Sequence, residues 1–184
     1  MKSIFALLIL TLGVTFGVSA QMKGGNPMVG GAAMYKTKNI VENAVNSKDH
    51  TTLVAAVKAA GLVDTLMSAG PFTVFAPTNA AFDKLPAGTV ETLVKPENKA
   101  TLTKILTYHV LAGKFSSKDI VKAIKKGNGK ATFTTVSGGK LYAMLSGKNV
   151  VLMDEKGGKS TVTIADVKQS NGVIHVIDSV VLPN

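Results

Sequence analysis

Three histidines, His50, His109 and His175, are the side chains best suited to acid–base or metal chemistry in this chain. Imidazole titrates near neutral pH and is a common ligand for transition metals. No two of the three stand four residues apart in a helical stretch, so the chain has no helix-borne zinc motif. A zinc site assembled across distance would draw on His109, His175 and a carboxylate such as Asp178. The local context points the other way. His109 opens an apolar strand-like run, Tyr108-His109-Val110-Leu111, and His175 lies within the run 173–177. A histidine in such a run is expected to be an interior residue with hydrogen-bond partners. No Gly-x-Ser-x-Gly elbow is present. Gly127-Asn128-Gly129-Lys130 lacks the spacing and the following helix of a phosphate-cradling loop. The adjacent carboxylates Asp154 and Glu155 read as a solvated tip between strands. Met22, Met28 and Met34 could offer thioethers to a soft metal, but their sparse spacing and lack of a nearby histidine favour plain apolar packing. The expectation is a chain with no catalytic, cofactor-binding or metal site, and hence not an enzyme.

Charge is the next constraint. The formal net charge is +10, and all 21 basic residues are lysine. Arginine supplies the planar fork that reads phosphate and guanine, whereas lysine is a hydrated point charge. A lysine-only basic surface suits diffuse attraction to anionic polymers, headgroups or cell walls. With no Trp and few aromatics to stack on bases, specific nucleic-acid binding is not expected. Cysteine is absent, which excludes disulfides, thiolate metal sites and a lipidated N-terminal cysteine.

Residues 1–20 have the form of a secretory signal peptide: Lys2, an apolar run over 4–12, and the small-residue site Val18-Ser19-Ala20. The run is short of the ~20 residues a bilayer requires, so no transmembrane segment is expected in the mature chain. The destination is then the medium or the periplasm. After removal about 164 residues remain, enough for one domain with its own core. No apolar tail follows Leu182-Pro183-Asn184, so a C-terminal lipid anchor is not expected.

Residues 21–35 are rich in Gly and Met. Composition reads them as a linker. Helical signals follow over 39–45, then in a helix capped by Asp49 and carrying Leu53, Val54 and Val57, with Gly61 at its left-handed end. Another short helix spans 62–67. Residues 72–76 alternate as a strand that Pro77 ends, and Thr78 or Asn79 caps the next helix. Helices follow over 99–106 and after Ser116 or Ser117, the latter with Ile120, Val121 and Ile124 inward. Beyond Gly127 the texture turns to strands over 131–136, 141–145, 150–153, 161–167 and 173–182. Gly138-Gly139 and Lys148-Asn149 read as hairpin turns, and Gly157-Gly158 as a looser one. Helices first and strands second, with one early strand, make an α+β chain and not an alternating βαβ one.

Three segments in fixed order carry a more specific signal: Gly70-Pro71-Phe72-Thr73-Val74-Phe75-Ala76-Pro77-Thr78-Asn79-Ala80-Ala81-Phe82, then Leu106-Thr107-Tyr108-His109-Val110-Leu111, then Asn171-Gly172-Val173-Ile174-His175-Val176-Ile177-Asp178. Together they resemble the fasciclin (FAS1) domain, a family of extracellular adhesion and matrix modules with single-domain bacterial secreted members. The resemblance covers nearly all of the chain after residue 20 and implies a single domain over 36–184, with a β-wedge or sandwich packed against a layer of short helices. Phe72, Phe75, Pro77, Thr78, Asn79, Phe82, His175 and Asp178 would be its structural motif residues. It also implies that 26–35 form an arm laid on the domain, and that His109 sits in a hydrogen-bond network tying helices to strands.

The same resemblance nominates interaction residues. Tyr108-His109 corresponds to a region tied to integrin recognition in animal members, and Lys118-Asp119-Ile120 resembles their Asn-Lys-Asp-Ile string with Ser117 in place of Asn. Residues alone add Lys118, Lys122, Lys125 and Lys126, at i, i+4, i+7 and i+8 on one outer helix face, flanked by Lys114 and Lys130. The function implied is adhesion or surface and matrix interaction without cofactor, with cell-surface or matrix proteins or anionic polysaccharides as partners. A periplasmic ligand- or metal-binding protein is the alternative.

Overall fold

The computed structural model describes residues 25–184. The expected signal peptide and the first residues of the 21–35 segment lie outside them. Short helices dominate the first half. Asn39 caps α1 (Ile40–Ala44) in a reciprocal capping box with Glu42. A single 3-10 turn, Lys48–His50, leads into α2 (Thr51–Ala60), which closes on Gly61 in the left-handed conformation. Asp49 therefore sits in the turn and does not cap α2. Its place is taken across the chain by Asn79, whose Oδ1 accepts from the Thr52 N–H at 3.0 Å while its Nδ2 donates to the Lys48 carbonyl. Helix α3 spans Val63–Met67. Thr78 caps α4 (Asn79–Asp83), α5 is Thr89–Leu93 and α6 is Lys99–Tyr108.

The strands are β1 (Met28–Val29), β2 (Ala32–Ala33), β3 (Phe72–Pro77), β4 (Val110–Ala112), β5 (Lys130–Thr134), β6 (Lys140–Ser146), β7 (Asn149–Met153), β8 (Lys159–Gln169) and β9 (Gly172–Ile177). β1 and β2 form a small hairpin of their own, and Val29 and Met34 beside it are buried. The other seven form one sheet in the order β4-β3-β9-β8-β7-β6-β5. Its one parallel pair is β3 with β9, the first and last signature segments, running in register from Phe72↔Gly172 to Pro77↔Ile177. A strand flanked on both edges and covered on both faces reads as a continuous apolar run, and β9 is buried at all six positions.

Alternation along these two strands divides the interior. Val74, Ala76, Ile174 and Val176 face a core shared with α1, α2, α3 and α6. Phe75 and Ile177 face a second core with Ile120 and Ile124 of α7 (Ser117–Lys126) and Leu141 and Leu152 of the hairpin strands. The architecture is α+β with short helices layered on a mixed sheet.

Several local expectations shift. The β6–β7 turn is Gly147-Lys148, one residue earlier than expected, because Ser146 pairs with Asn149 and Gly147 takes a φ of 60°. The fifth strand ends at Thr134, since the Val136 N–H turns to the Val110 carbonyl. The last strand ends at Ile177 and not near residue 182, because beyond Asp178 the N–H groups of Ser179, Val181 and Leu182 bond to the side chains of Ser160, His109 and Asp154.

Candidate functional site

His109 is not a strand residue. It is the residue that ends α6, and β4 begins one position later. Its Nδ1–H donates to the Ile105 carbonyl at 2.8 Å, and its Nε2 accepts from the Val181 N–H at 3.2 Å. The two bonds fix a neutral imidazole between α6 and the C-terminal segment. Burial drives its pKa down to about 4, against smaller upward pulls from the Ile105 carbonyl and Asp154. Tyr108 beside it is fully buried. Its hydroxyl donates to the Lys140 carbonyl at 2.6 Å and accepts from the Glu155 N–H at 3.3 Å. Burial pushes this phenol up to about 12. Both rings of the Tyr-His pair are thus interior.

His175 makes a second junction. Its ring stacks on Phe75 with centroids 5.6 Å apart, its Nε2–H donates to the Phe115 carbonyl at 2.9 Å, and its Nδ1 accepts from the Asp166 N–H at 3.3 Å. Burial lowers its pKa. Asp166 interrupts β8 in a bulged stretch with a φ of 61°. Its carboxylate accepts from the Ser117 N–H at 2.7 Å and from the Ser117 hydroxyl. The Phe115 N–H reaches Thr73 Oγ at 2.9 Å, and that hydroxyl donates to the Gly113 carbonyl. Through these bonds the N-terminus of α7 is tied to both central strands.

Ser116 is the cap of α7, in a capping box with Asp119. The Ser116 hydroxyl and N–H hold the Asp119 carboxyl below its usual range. Ile120 is buried. Of the Lys118-Asp119-Ile120 string, Asp119 is engaged in the cap and Ile120 is in the core, which leaves Lys118 presented to solvent. Lys118, Lys122, Lys125 and Lys126 are exposed along α7, and Lys114 and Lys130 are exposed beside it. Ser117, Lys118, Val121, Lys122 and Lys125 line a shallow open groove on this face. Lys130 Nζ stands 3.9 Å from the Tyr142 ring centroid, within range of a cation–π contact.

Besides Asp119 and Asp166, three further carboxylates are spent on backbone groups away from this face. Asp154 is buried, not a solvated tip: it accepts from the Lys156, Gly158 and Leu182 N–H groups. Glu155 accepts from the Lys140 and Asn184 N–H groups. Asp178 accepts from the Thr161 N–H at 2.8 Å, which with the Ser179 and Ser160 hydroxyls and Lys84 outweighs burial and holds its pKa low. Lys84–Asp178, at 3.9 Å, is the single ion pair among the described residues. Acidic side chains therefore cap and clamp the fold, while the lysines of α7 make no ion pair within 4 Å among the described residues; Lys122 adds only a lesser pull on the capping carboxylate of Asp119. His109, His175 and Asp178 are not brought together as ligands. Both ring nitrogens of each of these two histidines are engaged, and no group of three His, Asp or Glu among the described residues could hold a metal ion.

The family model described as the Fasciclin domain matches residues 48–183. The chain belongs to the fasciclin domain family. Its relatives include the protein sll1483 of Synechocystis, 49% identical over 85% of this chain and 79% of that one. The immunogenic protein MPB70 of Mycobacterium bovis is 39% identical over 76% of this chain and 66% of the relative. The cell surface glycolipoprotein MPB83 of the same species is 34% identical over 89% and 70%. Among solved structures, the FAS1 domain pair from the insect cell adhesion molecule fasciclin I superposes with a TM-score of 0.69 at 21% identity. That match covers 79% of this chain and about half, 51%, of the solved one, and it shows the shared fold.

Within this fasciclin domain the motif residues divide by task. Phe75 and Phe82 fill the two cores, Thr78 caps α4, Asn79 clamps α2, and His175 and Asp178 pin β8. Sequence reasoning missed Asp166, the anchor of α7. The available signal was a lone acidic residue breaking the alternation of a β-rich run, which marks a bulge. No helix among the described residues is long and apolar enough to cross a membrane.

Proposed function

We propose that the protein is an exported, non-enzymatic fasciclin module that attaches to anionic cell-surface or matrix polymers, acidic polysaccharides first among them, through the lysine face of α7. One observation carries the reading: Lys118, Lys122 and Lys125 surround a groove on a helix held rigid by its capping box and by Asp166, with no acidic group within ion-pair distance of them among the described residues. A rigid array of unpaired ammonium groups on a chain of net charge +10 attracts polyanions without demanding a specific sequence or stereochemistry. Export is supported by the pattern of residues 1–20 and by a relative named as a cell surface glycolipoprotein.

The test is retention of the mature protein on an immobilised acidic polysaccharide as salt is raised. Exposed charges are screened beyond ~8 Å at physiological ionic strength. Affinity should therefore fall on the order of tenfold or more between low and physiological salt. Salt-insensitive retention, or none at low salt, contradicts the proposal.

A further inference from the structure

An apolar cavity of about 80 Å³ lies between α2, α3 and α6 on one side and the β3–β9 face on the other. Leu53, Val57, Leu66, Val74 and Ile174 are among its walls, and exposed Lys58, Thr65 and Val136 border its opening. An apolar protein cavity of about 150 Å³ stays dry and accepts benzene. By that scale this one holds roughly three heavy atoms, with room for more at the opening.

One wall residue is out of keeping. His50 is 2% exposed, and its Nε2 is the single buried side-chain nitrogen or oxygen without a hydrogen-bond partner among the described residues. The other ring nitrogen, Nδ1, lies 2.9 Å from Ser47 Oγ. The Ser47 hydroxyl makes no second hydrogen bond among the described residues, so donating to Nδ1 satisfies its proton. The opposite tautomer would strand both that proton and Nε2. The unmet group is therefore an Nε2–H donor. The Ala76 carbonyl is near enough to favour protonation of the ring but does not form a hydrogen bond with it. Water needs about two to four polar partners in such a site, and this lining offers one unmet group.

We propose that this cavity is a binding site for a small neutral molecule with an apolar body and one carbonyl oxygen, the oxygen accepting a hydrogen bond from His50 Nε2–H. Ketones, esters and lactones fall in this class. A charged group in the interior would lose its hydration, since the lining's one lysine, Lys58, is exposed at the opening.

The test compares acetone with its hydrocarbon isostere 2-methylpropene on the mature protein, following methyl resonances of Val57, Leu66, Val74 and Ile174 and the His50 ring proton. One net hydrogen bond corresponds to about a two- to tenfold tighter association for the ketone. His50→Phe should erase that preference. Ala44→Leu, which extends a cavity-lining side chain into the space, should abolish binding of both molecules while keeping the thermal midpoint. It keeps the test decisive if the His50 variant does not fold. Equal affinity for the two molecules, no binding of either to the parent protein, or binding that survives Ala44→Leu would each overturn the proposal.

Discussion

Gly172→Ala is expected to cost about 3 kcal/mol or more and to lower the thermal midpoint by on the order of 10 °C. A Cβ at this position would lie 2.1 Å from the Phe72 carbonyl oxygen and 3.1 Å from the Phe72 nitrogen. Both are backbone atoms, so no side chain can swing aside. Phe72 is the register partner of Gly172 at the start of the parallel β3–β9 pair. Relief of the clash requires the two central strands to part just where the two cores meet. The neighbouring Asn171 makes the junction stiffer still. Its Oδ1 accepts from the Ile40 N–H, and its Nδ2 donates to the carbonyls of Leu66 and Ser68. Gly147→Ala is the control. Nothing lies within 4 Å of its added Cβ, so only the left-handed strain of about 1–2 kcal/mol applies. Equilibrium urea unfolding of both variants checks the contrast. A Gly172→Ala protein within 1 kcal/mol of the parent, on that same scale of backbone strain, would contradict the pairing of the two signature strands.

Acidification should weaken the fold as the buried histidines take up protons. His109 has a folded pKa of about 4 against an unfolded value near 6.5. Between those limits the unfolded chain binds the extra proton and the folded chain does not, so stability falls as pH falls. The contribution is fully present above pH 6.5 and is lost progressively down to about 4. The two and a half pH units between them correspond to about 3 kcal/mol. His50 and His175 are lowered by burial as well and act in the same direction. Asp178 is lowered too and loses stability in the same direction. Its lowered pKa gives stability that is lost only below the ordinary carboxylate range, outside the histidine window. Urea midpoints at pH 7.0, 5.5 and 4.5 are the measurement. His109→Gln, which retains an amide to bond a neighbouring backbone group, should start less stable and show a flatter profile. A parent profile that is flat across this range would remove the neutral buried histidine from the account.

Much of the fold was legible from local pattern because the pattern itself was local. The run from Phe72 to Pro77 is apolar with turn residues at its end, Gly61 stands where a left-handed residue closes a helix, and α7 places Ile120 and Ile124 on one face and its lysines on the other. The partner of a strand is not local. The similarity of two remote segments to one family joined them, but the parallel register that sets Phe75 opposite His175 had no counterpart in the spacing. Roles that depend on a distant backbone group were misread for the same reason. Asp154 looked like a turn tip because its third donor, the Leu182 N–H, comes from the far end of the chain. Asp49 looked like a cap because Asn79 is 27 residues from the Thr52 N–H it accepts. His109 was assigned to a strand because the apolar run continues past it, although the helix geometry holds to Tyr108 and the imidazole bonds the Ile105 carbonyl of the last turn.

The lysine face is most directly tested by neutralising its groove. Lys118, Lys122 and Lys125 should be replaced together by alanine, and binding to an acidic polysaccharide compared with the parent at low salt. All three side chains are exposed, and alanine is the strongest helix former, so α7 should persist. The expected result is a loss of affinity of on the order of tenfold or more together with a shallower salt dependence, at unchanged unfolding midpoint. A triple variant that binds like the parent, with the same salt dependence, would contradict the assignment of this helix as the gripping surface.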